Sequence, residues 1–336
     1  MTSIGVVGAG AWGTALAQVF ASDRRDVTIW AREEEVVNAI NEKHENTVFL
    51  PGIDLHPSLK ATTSIEEISS KNIILLVSPA QYLRASLEQM KPHINEGTYI
   101  VICAKGIEIS SGLLMSQVAH EVMPKGDFAI LTGPTFASEI AQGLPGAVTI
   151  GTYSPSTGGA LLKELSTPTF RPYLSDDVLG VQLGGALKNV VAIASGIVEG
   201  KHLGESARAA LMTRGITEMA RLGVSLGARH ETLLGMCGIG DLMLTASSMQ
   251  SRNFSLGAEI GAGRTMQEIL STRNAVTEGV HTAQAVIELA HKHGIEMPIC
   301  QAVNDILSDK ITIDEAIDKL LERPLKTELG EFEEAS

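Results

Sequence analysis

Directly after a first apolar run, Ile4-Gly5-Val6-Val7, the chain reads Gly8-Ala9-Gly10-Ala11-Trp12-Gly13 and passes straight into Thr14-Ala15-Leu16-Ala17, a helix-forming segment. Glycine at these three places permits a tight turn, close approach of a pyrophosphate to the backbone, and tight packing of the helix that follows. A pyrophosphate there would lie on the helix N-terminus, where unpaired N–H groups and the helix dipole favour an anion. Placement between strand and helix is what separates a dinucleotide fingerprint from an ordinary glycine turn. The second apolar run, Val27-Thr28-Ile29-Trp30, continues as Ala31-Arg32-Glu33. An acid at the end of this strand would hold a ribose 2′-hydroxyl, whereas Arg32 suits a 2′-phosphate. NADP(H) is therefore the expected preference, with NAD(H) tolerated. The alternative is an Arg32 paired at the surface with Glu34 or Glu35.

A nicotinamide-linked reaction at a carbon–oxygen centre needs a group that handles the hydroxyl proton and stabilises charge developing on oxygen. Lys188, within Gly184-Gly185-Ala186-Leu187-Lys188-Asn189-Val190-Val191, is the only formal charge between Asp177 and Glu199. So embedded, a lysine loses hydration, which lowers its pKa and makes it a usable proton carrier near neutrality; a lysine at a helix surface is the alternative. Three turns follow strand-like runs: Ser78-Pro79, Ala104-Lys105-Gly106 and Thr132-Gly133-Pro134-Thr135-Phe136-Ala137. They belong on the carboxyl edge of a sheet, where doubly wound folds bind ligands, although ordinary strand-to-helix turns use the same residues. Lys105 adds a cation there. Farther on, Gly238-Ile239-Gly240-Asp241 and Ser251-Arg252-Asn253 stand out. The second offers a phosphate a guanidinium fork with hydroxyl and amide donors, or else is a serine N-cap beside a solvated arginine. Asp241 reads either as a site acid or as a turn or cap residue. His291 and His293 fall on different faces of a helix, so no metal site is expected.

The elements that must hold these groups divide the chain in two. With 336 residues it exceeds the usual ~100–200 per domain. Up to residue 177, apolar runs at Ile4–Val7, Val27–Trp30, Ile73–Val77, Tyr99–Cys103, Ala129–Leu131, Ala147–Ile150 and Phe170–Leu174 alternate with helical patterns. Runs that are continuous rather than alternating suit strands covered on both faces, which predicts a parallel, doubly wound α/β sheet of Rossmann type. After Asp177 the β-rich runs disappear, and helices are expected at Val178–Val198, Ala207–Leu222, Met266–Leu270, Ala283–His291 and Ile313–Leu321. The expected division is 1–177, an all-α domain at 178–327, and an acidic tail at 328–336.

Val178–Val198 is long enough for a bilayer. It carries Gln182, Lys188 and Asn189 near its middle, however, and a central lysine costs several kcal/mol in lipid, so a buried helix is expected instead. Against 26 basic residues stand 39 acidic ones, a net charge of -13 that repels nucleic acid and anionic lipid. Cys103, Cys237 and Cys300 are too few and too scattered for a disulfide framework. No basic segment precedes the first apolar run as in a signal peptide, and a cytoplasmic setting is expected.

In sequence order, Gly8 to Ala17, Cys103-Ala104-Lys105-Gly106, Gly133-Pro134-Thr135-Phe136-Ala137, Leu183 to Val190, Gly240-Asp241 and Gln250-Ser251-Arg252-Asn253 resemble the motifs of the bacterial, soluble NAD(P)-dependent glycerol-3-phosphate dehydrogenases. The resemblance covers nearly the whole chain. It implies a Rossmann domain followed by a helical domain like the C-terminal part of 6-phosphogluconate dehydrogenase. It implies reversible reduction of dihydroxyacetone phosphate to sn-glycerol 3-phosphate for phospholipid synthesis, by a cytoplasmic homodimer. By the same resemblance, Lys188 is the proton donor and acceptor, and Lys105, Gly133, Thr135, Lys188, Asp241, Ser251, Arg252 and Asn253 surround the substrate. Gly8, Gly10, Ala11, Trp12, Gly13, Arg32, Lys105, Ala137, Arg252 and Glu278 would line the cofactor. Ala11 stands where many relatives carry serine, so a side-chain hydroxyl contact is lost. Two other readings remain open: a dehydrogenase of carboxylate substrates with the same plan, and a dinucleotide sensor without catalysis. Lys188 speaks against the sensor, while Lys105 and Ser251-Arg252-Asn253 speak for a phosphate ester.

Overall fold

The computed structural model describes residues 2–271 and 277–324, so the acidic tail lies outside the described residues. Strands β1 (Ser3–Val7), β2 (Asp26–Trp30), β3 (Lys60–Thr62), β4 (Ile73–Leu76), β5 (Tyr99–Ile102), β6 (Phe128–Thr132), β7 (Gly146–Gly151) and β8 (Phe170–Ser175) form one sheet in the order β3-β2-β1-β4-β5-β6-β7-β8. The continuous apolar runs hide a period of two. Ile4, Val6, Ile73, Leu75, Val101, Ala129 and Leu131 pack on one face with the helix Ala11–Ser22. Their neighbours Val7, Ile74, Leu76, Ile100, Ile102 and Ile130 pack on the other with Leu83, Leu87, Met115 and Val118. A parallel sheet covered on both faces requires this.

In two respects the sheet departs from expectation. Strands β1 to β6 are parallel, but β7 pairs antiparallel with β6, and β8 follows β7. The helix between β6 and β7, Ala137–Ala141, has five residues. At about 1.5 Å per residue it cannot carry the chain back along a strand, so β7 starts near the edge where β6 ended. The additional strand, β3, is a three-residue edge segment, Lys-Ala-Thr, without an apolar run to announce it. It is defined by its pairing with β2, Thr28 opposite Lys60.

β8 ends at Ser175, and Asp177 caps the helix that follows: Oδ1 accepts the Gly180 N–H at 2.8 Å and Oδ2 the Arg229 N–H at 2.8 Å. That helix, Val178–Gly200, is buried without interruption from Gly180 to Val198. Among the described residues it is the one helix long and apolar enough to cross a bilayer, and 94% of its most apolar stretch lies inside the protein. Around it pack Glu205–Ser225, Arg252–Gly261, Glu278–Lys292, Pro298–Leu307 and Ile313–Leu321.

The Arg252–Gly261 helix starts where Ser251 reads as an N-cap, but its body lies outside the expected helical runs because two of its residues, Gly257 and Gly261, are poor helix formers. They are there for contact. A β-carbon on Gly257 would stand 2.0 Å from Ile193 O, and one on Gly261 2.5 Å from Ile197 O. Across the seam, β-carbons on Gly196 and Gly200 would meet Phe254 O at 2.0 Å and Ala258 O at 2.1 Å. The two backbones touch, and tertiary packing outweighs propensity. Gly257→Ala is therefore expected to lower stability by about 1–3 kcal/mol, because backbone cannot yield as a side chain can. Gly159→Ala, on an exposed helical position with nothing within 4 Å of its β-carbon, should gain up to about 1 kcal/mol. Thermal melts of the two variants beside the parent check the contrast, and equal effects would contradict it.

Candidate active site

The first βα turn has the geometry that a pyrophosphate needs. Gly8 sits at φ +111°, a conformation that L side chains rarely adopt, and a β-carbon on Gly13 would stand 1.9 Å from Gly8 O. Gly10 has nothing within 4 Å of where a β-carbon would be. The helix beginning at Ala11 has no side-chain cap, so its first N–H groups are left for an anion. This turn opens where β1 lies between β2 and β4, the switch point of the sheet.

Three of the polar groups that lack partners lie at the same edge. Trp12 Nε1, Ser78 Oγ after β4 and Thr132 Oγ1 at the end of β6 are buried with no hydrogen-bond partner among the described residues. Buried polar atoms are rarely left so, and these orphans fit an edge built to hold a polar ligand. Arg32 is exposed and paired with Glu33 (Nη2 to Oε1, 2.9 Å), not with Glu34 or Glu35. An exposed pair of this kind is worth little and exchanges readily for a better anion.

The densest charge in the interior joins the two halves of the molecule. Lys188 Nζ donates to Asp241 Oδ1 at 2.6 Å and to Thr245 Oγ1 at 2.7 Å, while Lys105 Nζ donates to Asp241 Oδ2 at 2.6 Å. Thr245 in turn donates to Asp241 Oδ1 at 3.2 Å. Lys105 follows β5, Lys188 lies mid-way along the long buried helix, and Asp241 opens a short helix, Asp241–Thr245, after a π-helical turn at Met236–Gly240. Glycines bring them together. A β-carbon on Gly184 would stand 2.5 Å from Cys237 O, and one on Gly185 would stand 2.8 Å from Thr132 Oγ1 and 3.5 Å from Lys105 Cδ.

Burial pushes the Lys188 ammonium down to about 8; Asp241 opposes the shift and the nearby Lys105 charge adds to it. Burial acts to raise the Asp241 carboxyl, but Lys105 and Lys188 together hold it below the usual range. The cluster thus carries two cations and one anion, a net positive charge where an oxygen gaining negative charge would be stabilised. Sequence reasoning missed Thr245. Its signal was the four-residue spacing from Asp241, which puts both on one helix face.

The remaining expected residues are placed more variously. Gly133 is required by packing, since a β-carbon there would stand 2.8 Å from Ala147 O and Val148 Cα of β7. Thr135, on the turn after β6, and Ala137, at the start of the short helix that follows, are half-buried, and Ser138 of that helix donates to Gln250 Oε1 at 3.2 Å. Ser251, Arg252 and Asn253 do not converge. Ser251 Oγ accepts the Phe254 N–H at 3.2 Å as an N-cap. Asn253 is buried, with Nδ2 donating to Asn189 Oδ1 at 2.9 Å and Oδ1 accepting the Gly279 N–H at 3.0 Å. Arg252 is exposed. Glu278 is pushed up by burial and pulled down by the Ala80 N–H and the Arg252 charge. It stands beside Gly106, with Oε2 3.6 Å from where a β-carbon would be, and so reaches the loop that carries Lys105.

Residues 3–157 match the family model of the NAD-dependent glycerol-3-phosphate dehydrogenase N-terminus, and residues 177–318 that of its C-terminus. The glycerol-3-phosphate dehydrogenase (NAD(P)+) of Maricaulis maris is 54% identical over 326 residues, 97% of this chain and 98% of that one. The protein of the same name from Parvibaculum lavamentivorans is 53% identical over 325 residues, with 97% and 98% covered. The crystal structure of the glycerol-3-phosphate dehydrogenase from Coxiella burnetii superposes with a TM-score of 0.92 at 36% identity, over 96% of this chain and 99% of that one. Likeness of this degree runs through both the sheet and the helices, and the chain belongs to the family of NAD(P)-dependent glycerol-3-phosphate dehydrogenases.

Proposed function

We propose that Lys188 is the group that gives a proton to the substrate oxygen when this dehydrogenase reduces dihydroxyacetone phosphate to sn-glycerol 3-phosphate, and takes one back in the reverse direction. The bound nicotinamide supplies the hydride. What supports the role of Lys188 is a count of its donors: an ammonium has three N–H bonds. Asp241 and Thr245 take two, which leaves one for a carbonyl oxygen. Lys105 gives one N–H to Asp241 and keeps others for the substrate. Asp241 aligns both lysines without itself changing protonation, since both cations favour its ionised form.

The direction of the Lys188 shift fixes the pH dependence. Reduction needs Lys188 protonated, so its kcat/KM should fall as pH rises through about 8, and oxidation, which needs the neutral amine, should rise through the same range. Lys188→Met should melt lower, because Asp241 loses one of its two buried cations, but still fold and bind NADPH while turnover drops by ~10²–10⁴-fold. Retention of most turnover would move the proton donor elsewhere.

Arg252, with the N–H groups at the start of its helix, is proposed to grip the phosphate. Ser251 and Asn253 fix that helix start, one by capping it and the other by tying it to Asn189 and Gly279. Gly133, Thr135 and Lys105 would hold the triose end. Binding energy from the phosphate is remote from the reacting carbon and is used to orient it. Arg252→Ala should therefore lose ~2–4 kcal/mol in kcat/KM for dihydroxyacetone phosphate and much less for unphosphorylated dihydroxyacetone. The ratio of the two values is the measurement, and an unchanged ratio removes Arg252 from the phosphate.

In the cofactor crevice we assign the pyrophosphate to Gly8, Gly10, Ala11, Trp12 and Gly13. Ala137, Lys105, Glu278 and Arg252 then flank the nicotinamide side. Residues 1–177 would hold the dinucleotide and 178–327 the triose. The setting implied by the resemblance is a cytoplasmic homodimer that supplies glycerol phosphate to phospholipid synthesis, and light scattering tests the dimer. Arg32 is proposed to exchange Glu33 for the 2′-phosphate, which makes NADP(H) the preferred form. Arg32→Ala should weaken NADPH by roughly ten- to hundredfold and NADH little. Equal losses in a fluorescence titration would place the 2′-phosphate elsewhere.

A further inference from the structure

We infer that Gln81 is a positioning residue for Lys105: its side-chain amide holds the loop after β5 so that the Lys105 ammonium meets Asp241. Gln81 Nε2 donates to Ile107 O at 2.8 Å, and the Ile109 N–H donates to Gln81 Oε1 at 3.0 Å. One amide thus pairs the backbone on both sides of Glu108, on the edge opposite the Ile107–Leu114 bridge and the bond from the Glu108 N–H to Leu113 O at 2.9 Å. Glu108 itself is gripped by Arg84, Nε to Oε1 at 3.0 Å and Nη2 to Oε2 at 2.8 Å, and its carboxylate also accepts from Ser111. Gly106, at φ +155°, lies flush on the same segment, a β-carbon there standing 2.8 Å from Ala80 Cβ. Ala80, Gln81 and Arg84 therefore meet Gly106, Ile107 and Glu108 in sequence, and Lys105 is the next residue up the loop.

The base of this brace is stiff. Leu83, Leu87 and Met90 of the helix Leu83–Met90 are fully buried against the sheet. Neither Gln81 nor Arg84 touches Lys188 or Asp241, so their effect on the reaction runs through Lys105. A loop brace that merely stabilised the fold would leave the acidity of Lys188 alone. This one does not, because the charged groups facing Lys188 are Asp241 from its short helix and Lys105 from this loop. Its own helix has no other charge between Asp177 and Glu199, and the neighbouring Cys237 thiol is pushed up to about 11 by burial and stays neutral. If Lys105 drifts from Asp241, Lys188 loses a repelling cation and has the carboxylate to itself, so it becomes harder to deprotonate.

The inference rests on Lys188 as proton donor, and the test separates the two. In Gln81→Ala, kcat/KM for dihydroxyacetone phosphate should fall about ten- to hundredfold, and the alkaline limb of the reduction profile should move to higher pH. Unchanged kcat/KM, or a loss with an unmoved limb, overturns the positioning role. Should Lys188→Met, run alongside, keep its turnover, the proton-donor reading fails. The brace is then judged on a crystal structure of Gln81→Ala, in which a Lys105–Asp241 contact at the parent distance overturns it and a broken contact upholds it. If Gln81→Ala does not fold, Gln81→Glu keeps the shape and the bond from Ile109 but sets a carboxylate against Ile107 O. The same measurements apply to it.

Discussion

A carboxylate buried to 1% exposure between two lysines is the constraint around which this molecule is arranged. Taking Asp241 out of water alone would cost several kcal/mol, and one lysine would pair it at the expense of burying a second charge. With two lysines, one on the loop after β5 and the other on the long helix, each carboxylate oxygen has its own ammonium, the cluster is left net positive, and each domain holds one of the cations. The charge cluster is satisfied only when sheet and helices are docked. That requirement explains why glycines line the approach: Gly184 and Gly185 admit the Met236–Gly240 turn and the Lys105 stem to the face of the helix that bears Lys188. The residue types flanking Lys188 are thus set by how close backbones must come to build a charge cluster away from water.

Much of the nucleotide half was legible in the sequence because its signals are local. Apolar runs announced seven of the strands, all but the last covered on both faces for most of their length, and Gly8, Gly10 and Gly13 announced the turn between the first strand and its helix. What escaped is what depends on distant partners. β3 has too little apolar surface of its own, the reversal at β7 depends on the length of a five-residue helix, and the Arg252–Gly261 helix is held by a neighbour's backbone. For the site, Lys188 and Asp241 were readable as charges in apolar or glycine-rich company. Nothing in the spacing could reveal that Asp241 would reach both lysines, across 53 and 136 residues. Ser251 shows the converse. Three polar residues in a row suggested a cradle, yet in the structure the serine caps the helix and Asn253 ties three helices together, so the segment's polarity is largely architectural.

The uninterrupted burial of the long helix from Gly180 to Val198 has a consequence for when different parts of the site can come apart. Amides in such a helix exchange with solvent only through global unfolding, whereas exposed segments open locally at small cost. Lys188 is carried mid-way along that helix, while Arg32 and Arg252 stand at the surface and the Lys105 loop depends on side-chain bonds. The lysine proposed to handle the proton therefore sits on the slowest clock in the molecule and the groups assigned to the charged ends of the ligands on faster ones. Ligands can be exchanged many times over without the acid being disturbed, because loosening the rim does not require loosening the helix on which it is mounted.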